Sequence, residues 1–403
     1  MAKTFKDINA NIAIIGGCGH VGLPLGLALA NAGQKVIAFD INAEKVESTN
    51  QGRMPFKDQG ADELLKEVLA QERFLCTTER ECLKDVEVII SVTGTPVDEH
   101  LNPRLDDIQQ ALLSCAEMFN SKQLLVLRST IYPGTTKHIE EELKRRGLAM
   151  DVAFCPERVA EGYALEEIRS LPQIVSGCSR QAEDRAAKLF ALLTQDIVRL
   201  DPLSAELAKL FTNTWRYVQF AVSNQFFTMA NDYGADFYAI HEAMTHNYKR
   251  TQGFPTAGFA AGPCLLKDTM QLSAFHKNNF FLGHAAMLVN EGLPNYLVGR
   301  LQEKFDLSKM CVGLLGMTFK ADSDDIRDSL SFKLRRQLKN SCGQLICHDP
   351  YLDDDWLSPL DEVLERSDIL VVGAPHNVYK ELDWPDKNIV DVWNISPKRM
   401  KIL

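Results

Sequence analysis

The stretch from Asn11 to Asp40 constrains this chain more than any other part of it. An apolar run, Ile12–Ile15, leads into Gly17-Cys18-Gly19-His20-Val21-Gly22, which opens a helical pattern over Gly22–Ala32. A second apolar run, Lys35–Asp40, ends on an acid. In such a turn the first glycine permits the tight reversal. The second lets backbone approach a pyrophosphate, and the third lets helix and strand pack closely. Phosphates sit well at the helix N-terminus, where unbonded N–H groups and the dipole favour negative charge. Asp40 is placed to accept hydrogen bonds from ribose hydroxyls and to repel a 2′-phosphate, and no Arg follows it in Ile41-Asn42-Ala43-Glu44. The expected cofactor is therefore NAD and not NADP. The competing reading, an ordinary glycine turn with a surface Asp, lacks an account of the strand before, the helix after and the acid at the end of the next strand.

The rest of the chain extends this beginning. Asn11–Ile15, Lys35–Asp40, Val86–Ser91, Leu124–Ser129, Val152–Phe154 and Ile174–Gly177 read as buried strands, with helical periodicity between them, as in Gln181–Leu193. Strand–helix alternation implies a parallel, doubly wound sheet. Ser204–Tyr233 has apolar residues at helical spacing and no Gly or Pro, which predicts one long helix. Such a rod serves to link domains or to pack on a partner subunit, and ordinary core packing is the plain alternative. Met310–Leu315, Gln344–Cys347, Ile369–Val372 and Ile389–Val392 read as strands again. The expected fold is α/β: two Rossmann-like sheets, residues 1–200 and 306–403, joined by a helical region over 201–305.

A net charge of −10 argues against a general nucleic-acid binder. The N-terminus is polar and does not read as a secretory leader, and no apolar run nears the roughly 18–20 residues a membrane span needs. The ten cysteines contain no CxxC pair, so they read as thiols in a reducing cytoplasm and not as a disulfide or zinc framework. The nine histidines form no HxH or HxxxH pair, and no metal is expected.

Some residues could carry chemistry. Cys264 closes Ala257-Gly258-Phe259-Ala260-Ala261-Gly262-Pro263-Cys264 and precedes Leu265-Leu266-Lys267-Asp268, where a helix starts. A thiol at a helix N-terminus beside a Lys is a setting for a nucleophile, and Asp268 shares its helical face. By itself, a Cys in a Gly/Ala loop is more often simply packed. Glu206, Lys209 and Asn213 fall on one face of the long helix; the ammonium and carboxamide suit a developing oxyanion, though by themselves they fit a solvated helix face better. Phe154-Cys155-Pro156-Glu157-Arg158 follows a short strand and Leu127-Arg128-Ser129-Thr130-Ile131-Tyr132-Pro133-Gly134 ends another, and strand ends point into the ligand crevice of such sheets. The alternative for each is turn chemistry.

Together these stretches resemble the UDP-glucose/GDP-mannose dehydrogenase family, nearly end to end. The resemblance rests on the glycine turn, Thr95-Pro96, Ser129-Thr130, Pro156-Glu157 with Glu161-Gly162, Ala205-Glu206-Leu207-Ala208-Lys209 through Asn213, Cys264 with Lys267-Asp268, and Phe319-Lys320 with Asp324-Asp325-Ile326-Arg327-Asp328-Ser329. It implies oxidation of a nucleotide-sugar C6 alcohol to a carboxylate with two NAD per sugar, through a thiohemiacetal and a thioester on Cys264. It further implies that Lys209 and Asn213 steady the oxyanion, that Asp268 handles protons through a water, and that Thr130 and Glu157 position that water and the thioester. Gly17, Gly19, Gly22, Asp40, Thr95, Thr130, Glu161, Lys267 and Arg327 fall at cofactor positions. Glu157, Lys209, Asn213, Gly258, Phe319 and Lys320 fall where the nucleotide sugar is held. The long helix is implied to form the interface of a homodimer or larger homo-oligomer.

Three departures stand out. Pro263 stands where many members have Ser or His, removing a backbone donor before the thiol. Arg158 makes Pro-Glu-Arg, a form similar to the N-acetylhexosamine branch, UDP-N-acetylmannosamine dehydrogenase among them. Trp393 occupies a position that is frequently Arg. Two rival readings remain. A two-electron β-hydroxyacid-type dehydrogenase needs no cysteine and yields one NADH per substrate, and a non-catalytic NAD- or nucleotide-binding protein yields none.

Overall fold

The computed structural model describes residues 8–94, 98, 104 and 110–400. By compactness the chain divides into two units, Met1–Phe211 and Thr212–Leu403.

The first unit is built on eight strands: β1 (Ile12–Ile15), β2 (Val36–Phe39), β3 (Phe74–Thr77), β4 (Val88–Ser91), β5 (Leu124–Leu127), β6 (Asp151–Phe154), β7 (Gln173–Gly177) and β8 (Ile197–Arg199). They lie in the order β3-β2-β1-β4-β5-β6-β7-β8. The six from β3 to β6 run parallel, with Ile12 opposite both Val36 and Val88. The doubly wound parallel sheet is thus present. β7 pairs antiparallel with β6, and β8 runs parallel to β7, so two reversed strands extend it.

The unbroken apolar runs follow from burial on both faces. Ile12 and Ile14 point to one core with Val36, Leu124 and Val126, beneath helices Gly22–Asn31, Ala61–Ala70 and Arg180–Phe190. Ala13 and Ile15 point to the other with Ile37, Phe39, Leu125 and Leu127, beneath helix Thr135–Arg145. Strand alternation, with its period of two, sorts one sequence run into two cores. β3 and β8 were not expected from the sequence. β3 alternates buried and half-buried positions and ends the sheet, and β8 exposes Val198 and Arg199 at the opposite edge. Edge strands lose the two-sided burial that makes the inner ones legible.

The long helix spans Pro202–Asp232, starting two residues earlier than expected, because a proline is tolerated in the first turn of a helix. The boundary between the units falls within it. In the second unit, helices Phe237–Thr245, Leu265–Phe275 and Phe281–Lys304 precede a four-stranded sheet. Its strands are β9 (Cys311–Leu315), β10 (Gln344–His348), β11 (Ile369–Val372) and β12 (Asn388–Val390), all parallel, in the order β10-β9-β11-β12. Phe227, Phe237, Leu293 and Leu297 from the helices share one core with Leu314, Val371 and Val390 from the sheet, so helices and sheet fold together. β12 stops at Val390, short of the expected Val392. There the Asp391 carboxylate accepts hydrogen bonds from the amides of Trp393, Ile395 and Ser396 at 2.6–2.8 Å and turns the chain out of the ladder. Among the described residues no helix is long and apolar enough to cross a membrane.

Candidate active site

In the first unit the glycine turn is as tight as its sequence requires. A methyl on Gly17 would lie 2.5 Å from the Ala38 Cβ, and one on Gly22 would lie 2.5 Å from the Gly16 carbonyl oxygen. Gly19 differs: a methyl there would meet only the Gly16 oxygen, at 3.5 Å. The first and third glycines are therefore closed by protein, and the second faces open space of the kind a pyrophosphate fills. Among the described residues no side-chain hydrogen bond caps helix Gly22–Asn31, and its first turn holds no acid. Its N-terminal amides thus keep their suitability for phosphate. Asp40 accepts from the Cys18 amide at 3.0 Å through Oδ2 and from the Asn42 amide at 3.0 Å through Oδ1. A carboxylate has about four acceptor positions, so both oxygens retain capacity for ribose hydroxyls. These residues fit the adenosine half of NAD. Thr95 lies outside the described residues.

Glu157, at the end of β6, is buried and fixed from two sides. Its Oε2 accepts from Arg128 Nε at 2.8 Å and lies 2.5 Å from Nη2, and its Oε1 accepts from the amides of Arg158 and Val159 at 2.7 and 3.0 Å. Arg128 is fully buried. It also donates to the Cys155 carbonyl and to Gln173 Oε1, both at 3.1 Å, and lies 4.7 Å over the Phe190 ring. Sequence reasoning singled out Glu157 and passed over Arg128, because nothing local in Arg128-Ser129-Thr130 announces a partner on another strand. Ser129 donates to the Thr93 carbonyl at 2.6 Å, and Thr130 and Glu161 are half-buried nearby in sequence.

Glu206 has a structural task. Its carboxylate accepts from the Gly134 amide at 2.6 Å and from the Thr136 amide and hydroxyl at 2.8 and 2.6 Å, capping helix Thr135–Arg145 with negative charge. Burial pushes its carboxyl up in spite of those donors. Lys209, one turn further on, is buried in the same unit.

In the second unit Cys264 is the N-cap residue of helix Leu265–Phe275, and the Asp268 amide donates to its carbonyl at 2.9 Å. Asp268 is fully buried. Asn213 Nδ2 donates to its Oδ2 at 2.6 Å, and Lys267 Nζ lies 3.1 Å from its Oδ1. The geometry thus gathers Asn213 and Lys267 on the carboxylate of Asp268, one helical turn past Cys264. Cys264 is the exposed cysteine of the ten. Burial pushes Cys82, Cys155 and Cys178 up to about 12 and Cys347 up to about 11, and raises Cys76, Cys115, Cys311 and Cys342 as well. Thiols held that high supply little thiolate.

Phe319 and Lys320 follow β9 and are half-buried, with Thr318 Oγ1 donating to the Lys320 carbonyl at 2.9 Å. Arg327 is exposed and grips Asp325, its Nε 3.0 and 2.9 Å from the two carboxylate oxygens. The Gly258 backbone is held at both ends by Asn224, Oδ1 accepting its N–H and Nδ2 donating to its carbonyl, each at 2.9 Å.

A doubly wound sheet whose first turn is shaped for a dinucleotide, with a second smaller parallel sheet, defines a dinucleotide-binding α/β protein. The chain belongs to the UDP-glucose/GDP-mannose dehydrogenase family: the family's NAD binding domain matches residues 10–194, its central domain 203–291 and its UDP binding domain 313–398. It is similar to the UDP-N-acetyl-D-mannosamine dehydrogenase of Pyrococcus horikoshii, 32% identical over 93% of this chain and 91% of that one. A solved structure of the UDP-D-ManNAc dehydrogenase of that organism superposes with a TM-score of 0.88, at 30% identity and over 96% of each chain. A UDP-glucose dehydrogenase from Pyrobaculum islandicum shares the fold, with a TM-score of 0.89, 24% identity and coverage of 97% of this chain and 96% of that one. The protein is an NAD-dependent nucleotide-sugar 6-dehydrogenase, and it binds its nucleotide sugar through a UDP binding domain.

Proposed function

We propose that the enzyme oxidises the C6 hydroxyl of a UDP-N-acetylhexosamine to the carboxylate, in a four-electron reaction that passes through a covalent bond to Cys264. The observation that carries this reading is the contrast among the thiols: Cys264 is exposed at a helix N-terminus, beside a buried carboxylate, whereas burial disarms eight others. NAD, when bound, accepts a hydride in each of two oxidations.

The chain's own residues supply the rest. The Cys264 thiolate adds to the C6 aldehyde and forms a C–S bond. Lys209 and Asn213 stabilise the oxyanion that develops. After the second oxidation a thioester remains. A water attacks its carbonyl carbon, the C–S bond breaks, and the carboxylate leaves as the thiolate is restored. Asp268 takes the proton of that water, and Glu157 and Thr130 position it. Held by Arg128 and two amides, Glu157 serves here as a fixed anion. Gly17, Gly19, Gly22, Asp40, Thr95, Glu161, Lys267 and Arg327 hold the cofactor, and Gly258, Phe319 and Lys320 hold the nucleotide sugar. The preference for an N-acetylhexosamine is supported by Pro156-Glu157-Arg158 and by the name of the 32%-identical relative.

The test is NADH yield from UDP-N-acetylmannosamine, UDP-N-acetylglucosamine and UDP-glucose, read at roughly 340 nm, the nicotinamide band. Two NADH per N-acetylated sugar are expected, with turnover abolished and NAD affinity kept in Cys264→Ala. Full steady-state rate in that variant would falsify the covalent route, and oxidation of UDP-glucose alone would overturn the sugar.

A homodimer is the proposed assembly. Trp215, Val222, Phe226 and Met229 stand exposed along the long helix, between 38% and 61%, with Tyr233 just past its end, an apolar stripe of the kind that marks interfaces. Sedimentation should give a dimer, and Phe226→Glu with Met229→Glu should give a monomer. A parent protein that sediments as a monomer sinks this assignment.

A further inference from the structure

The loop that delivers Cys264 is pinned at two glycines by two aromatic rings, both set at strand ends of the C-terminal sheet. At Gly258 the Trp393 ring occupies the place of a side chain, so that even a methyl would overlap its six-membered ring. Trp393 is itself anchored. Its amide donates to Asp391 Oδ1 at 2.8 Å, its indole N–H donates to the Gly373 carbonyl at 3.1 Å, and its ring meets Phe259 edge-on with centroids 6.0 Å apart.

At Gly262 the φ of +95° is open chiefly to glycine, and a methyl there would lie 2.6 Å from Phe319 Cδ2. The Gly262 amide also donates to the Asp328 carbonyl at 3.3 Å. From below, Asn224, fully buried and bonded to Asn290 at 2.9 Å, holds both backbone groups of Gly258. The thiol stands only two residues past Gly262, so the loop has little freedom left to place it.

We infer that Trp393 is a positioning residue for Cys264, acting through the backbone of Gly258, and that Phe319 is the second point of the same clamp. This rests on Cys264 being the nucleophile. Trp393 touches none of the reacting atoms. It takes away the alternative conformations of the loop, which is how a rigid supporting shell holds a reacting group in line. Phe319 and Lys320 share the strand end that holds the nucleotide sugar in the reading above. A nucleotide engaged there bears on Gly262 directly, which ties occupancy of the sugar-nucleotide site to the posture of the thiol.

The test separates posture from packing. Trp393→Ala should lower kcat about 10²-fold, the size of effect that a misplacement of about 1 Å produces, with the KM for NAD unchanged. Iodoacetamide labelling of Cys264, followed by mass spectrometry, should change rate in the same variant, and saturating UDP should alter that rate in the parent enzyme. Trp393→Phe should restore most of both. Gly258→Ala, whose methyl would overlap the indole, should be at least as damaging as Trp393→Ala. NAD affinity and thermal melting monitor whether each variant is folded. A Trp393→Ala enzyme with parental kcat and parental labelling rate overturns the positioning claim. A Cys264→Ala enzyme that keeps its rate sinks the nucleophile reading instead, and the labelling rates then judge the clamp separately.

Discussion

The two parallel sheets open with the same brace and then put it to different uses. After β1 the Gly16 amide donates to the Phe39 carbonyl at 2.9 Å, and after β9 the Gly316 amide donates to the His348 carbonyl at 2.8 Å. Both glycines have positive φ, +78° and +90°. An aspartate follows the second strand in each case and accepts amides from the first turn: Asp40 from Cys18, and Asp349 from Met317 and Thr318 at 2.6 and 3.2 Å.

There the likeness ends. Asp40 is half-buried, and a helix begins at Gly22, six residues after Gly16, with its N-terminus toward the turn. Asp349 is buried against His376, whose Nε2 lies 3.1 Å from Oδ2, and the next helix begins only at Leu330. The brace is common to both because any strand–turn–strand of this kind must satisfy the turn's amides. Only the first sheet leaves its acid accessible and brings a helix N-terminus to the phosphates, which is what a dinucleotide requires. In the second, the loop between Gly316 and Leu330 carries Phe319 and Lys320 in place of that helix start.

Substitutions can break or sharpen this contrast. The largest effect should come from Gly22→Ala. Its methyl would press on the Gly16 oxygen at 2.5 Å and the Gly17 Cα at 2.8 Å, both backbone. Overpacking of this kind costs about 1–3 kcal/mol, roughly ten- to a hundredfold in NAD affinity. UDP affinity, measured in the same calorimeter, should not change. Parental NAD binding by this variant would show that the turn is not what distinguishes the first sheet.

A smaller and more pointed comparison places the same change in both sheets. Asp40→Asn should weaken NAD about tenfold, by removing charge from hydrogen bonds worth about 1.5–3 kcal/mol, with little change in melting temperature. Asp349→Asn should do the reverse, lowering stability and leaving NAD alone. It should also flatten the acid limb of stability. Burial alone would push the Asp349 carboxyl up, but the hydrogen bond and charge of His376 and the Met317 and Tyr351 amides outweigh it and hold the group below its ordinary 3.8. A carboxyl so depressed lends stability above about pH 3.8, and that stability is lost as pH falls through the native value. Urea midpoints should therefore differ most between parent and Asp349→Asn above about pH 3.8, and the gap should shrink as pH falls below it. A gap of constant size as the pH falls below that value would mean that the folded protein does not hold the Asp349 carboxyl below its ordinary value.

Legibility in the sequence followed the reach of the forces involved. The inner strands could be read because burial on both faces demands continuous apolar runs, as in Ile12–Ile15 and Ile369–Val372. The edge strands β3 and β8 escaped notice because half-exposed positions relax that demand. Around the site, the glycine turn and Cys264 were visible as local patterns. Arg128 was not, since its partners Glu157 and Gln173 lie 29 and 45 residues away. Glu206 was legible only as a neighbour of Lys209 and Asn213 on one helix face, whereas the fold uses it to cap a helix 70 residues earlier in the chain. Trp393 was noticed only as a departure from a pattern, and its place over Gly258 arises from a strand that ends two residues sooner than its apolar run.

The sequence by itself determined the local grammar of this protein: where the inner strands and the long helix fall, which turn suits a dinucleotide, and which cysteine precedes a helix. Those features depend on periodicity and backbone geometry over a few residues. Tertiary structure alone decided which groups are neutral, paired or poised. Only folding buries Arg128 beside Glu157, closes Asp349 with His376 while leaving Asp40 open, and lays an indole on the glycine before the thiol. These are contacts between distant segments in a medium of low dielectric, where partner and burial, and not residue type, set what each group can do.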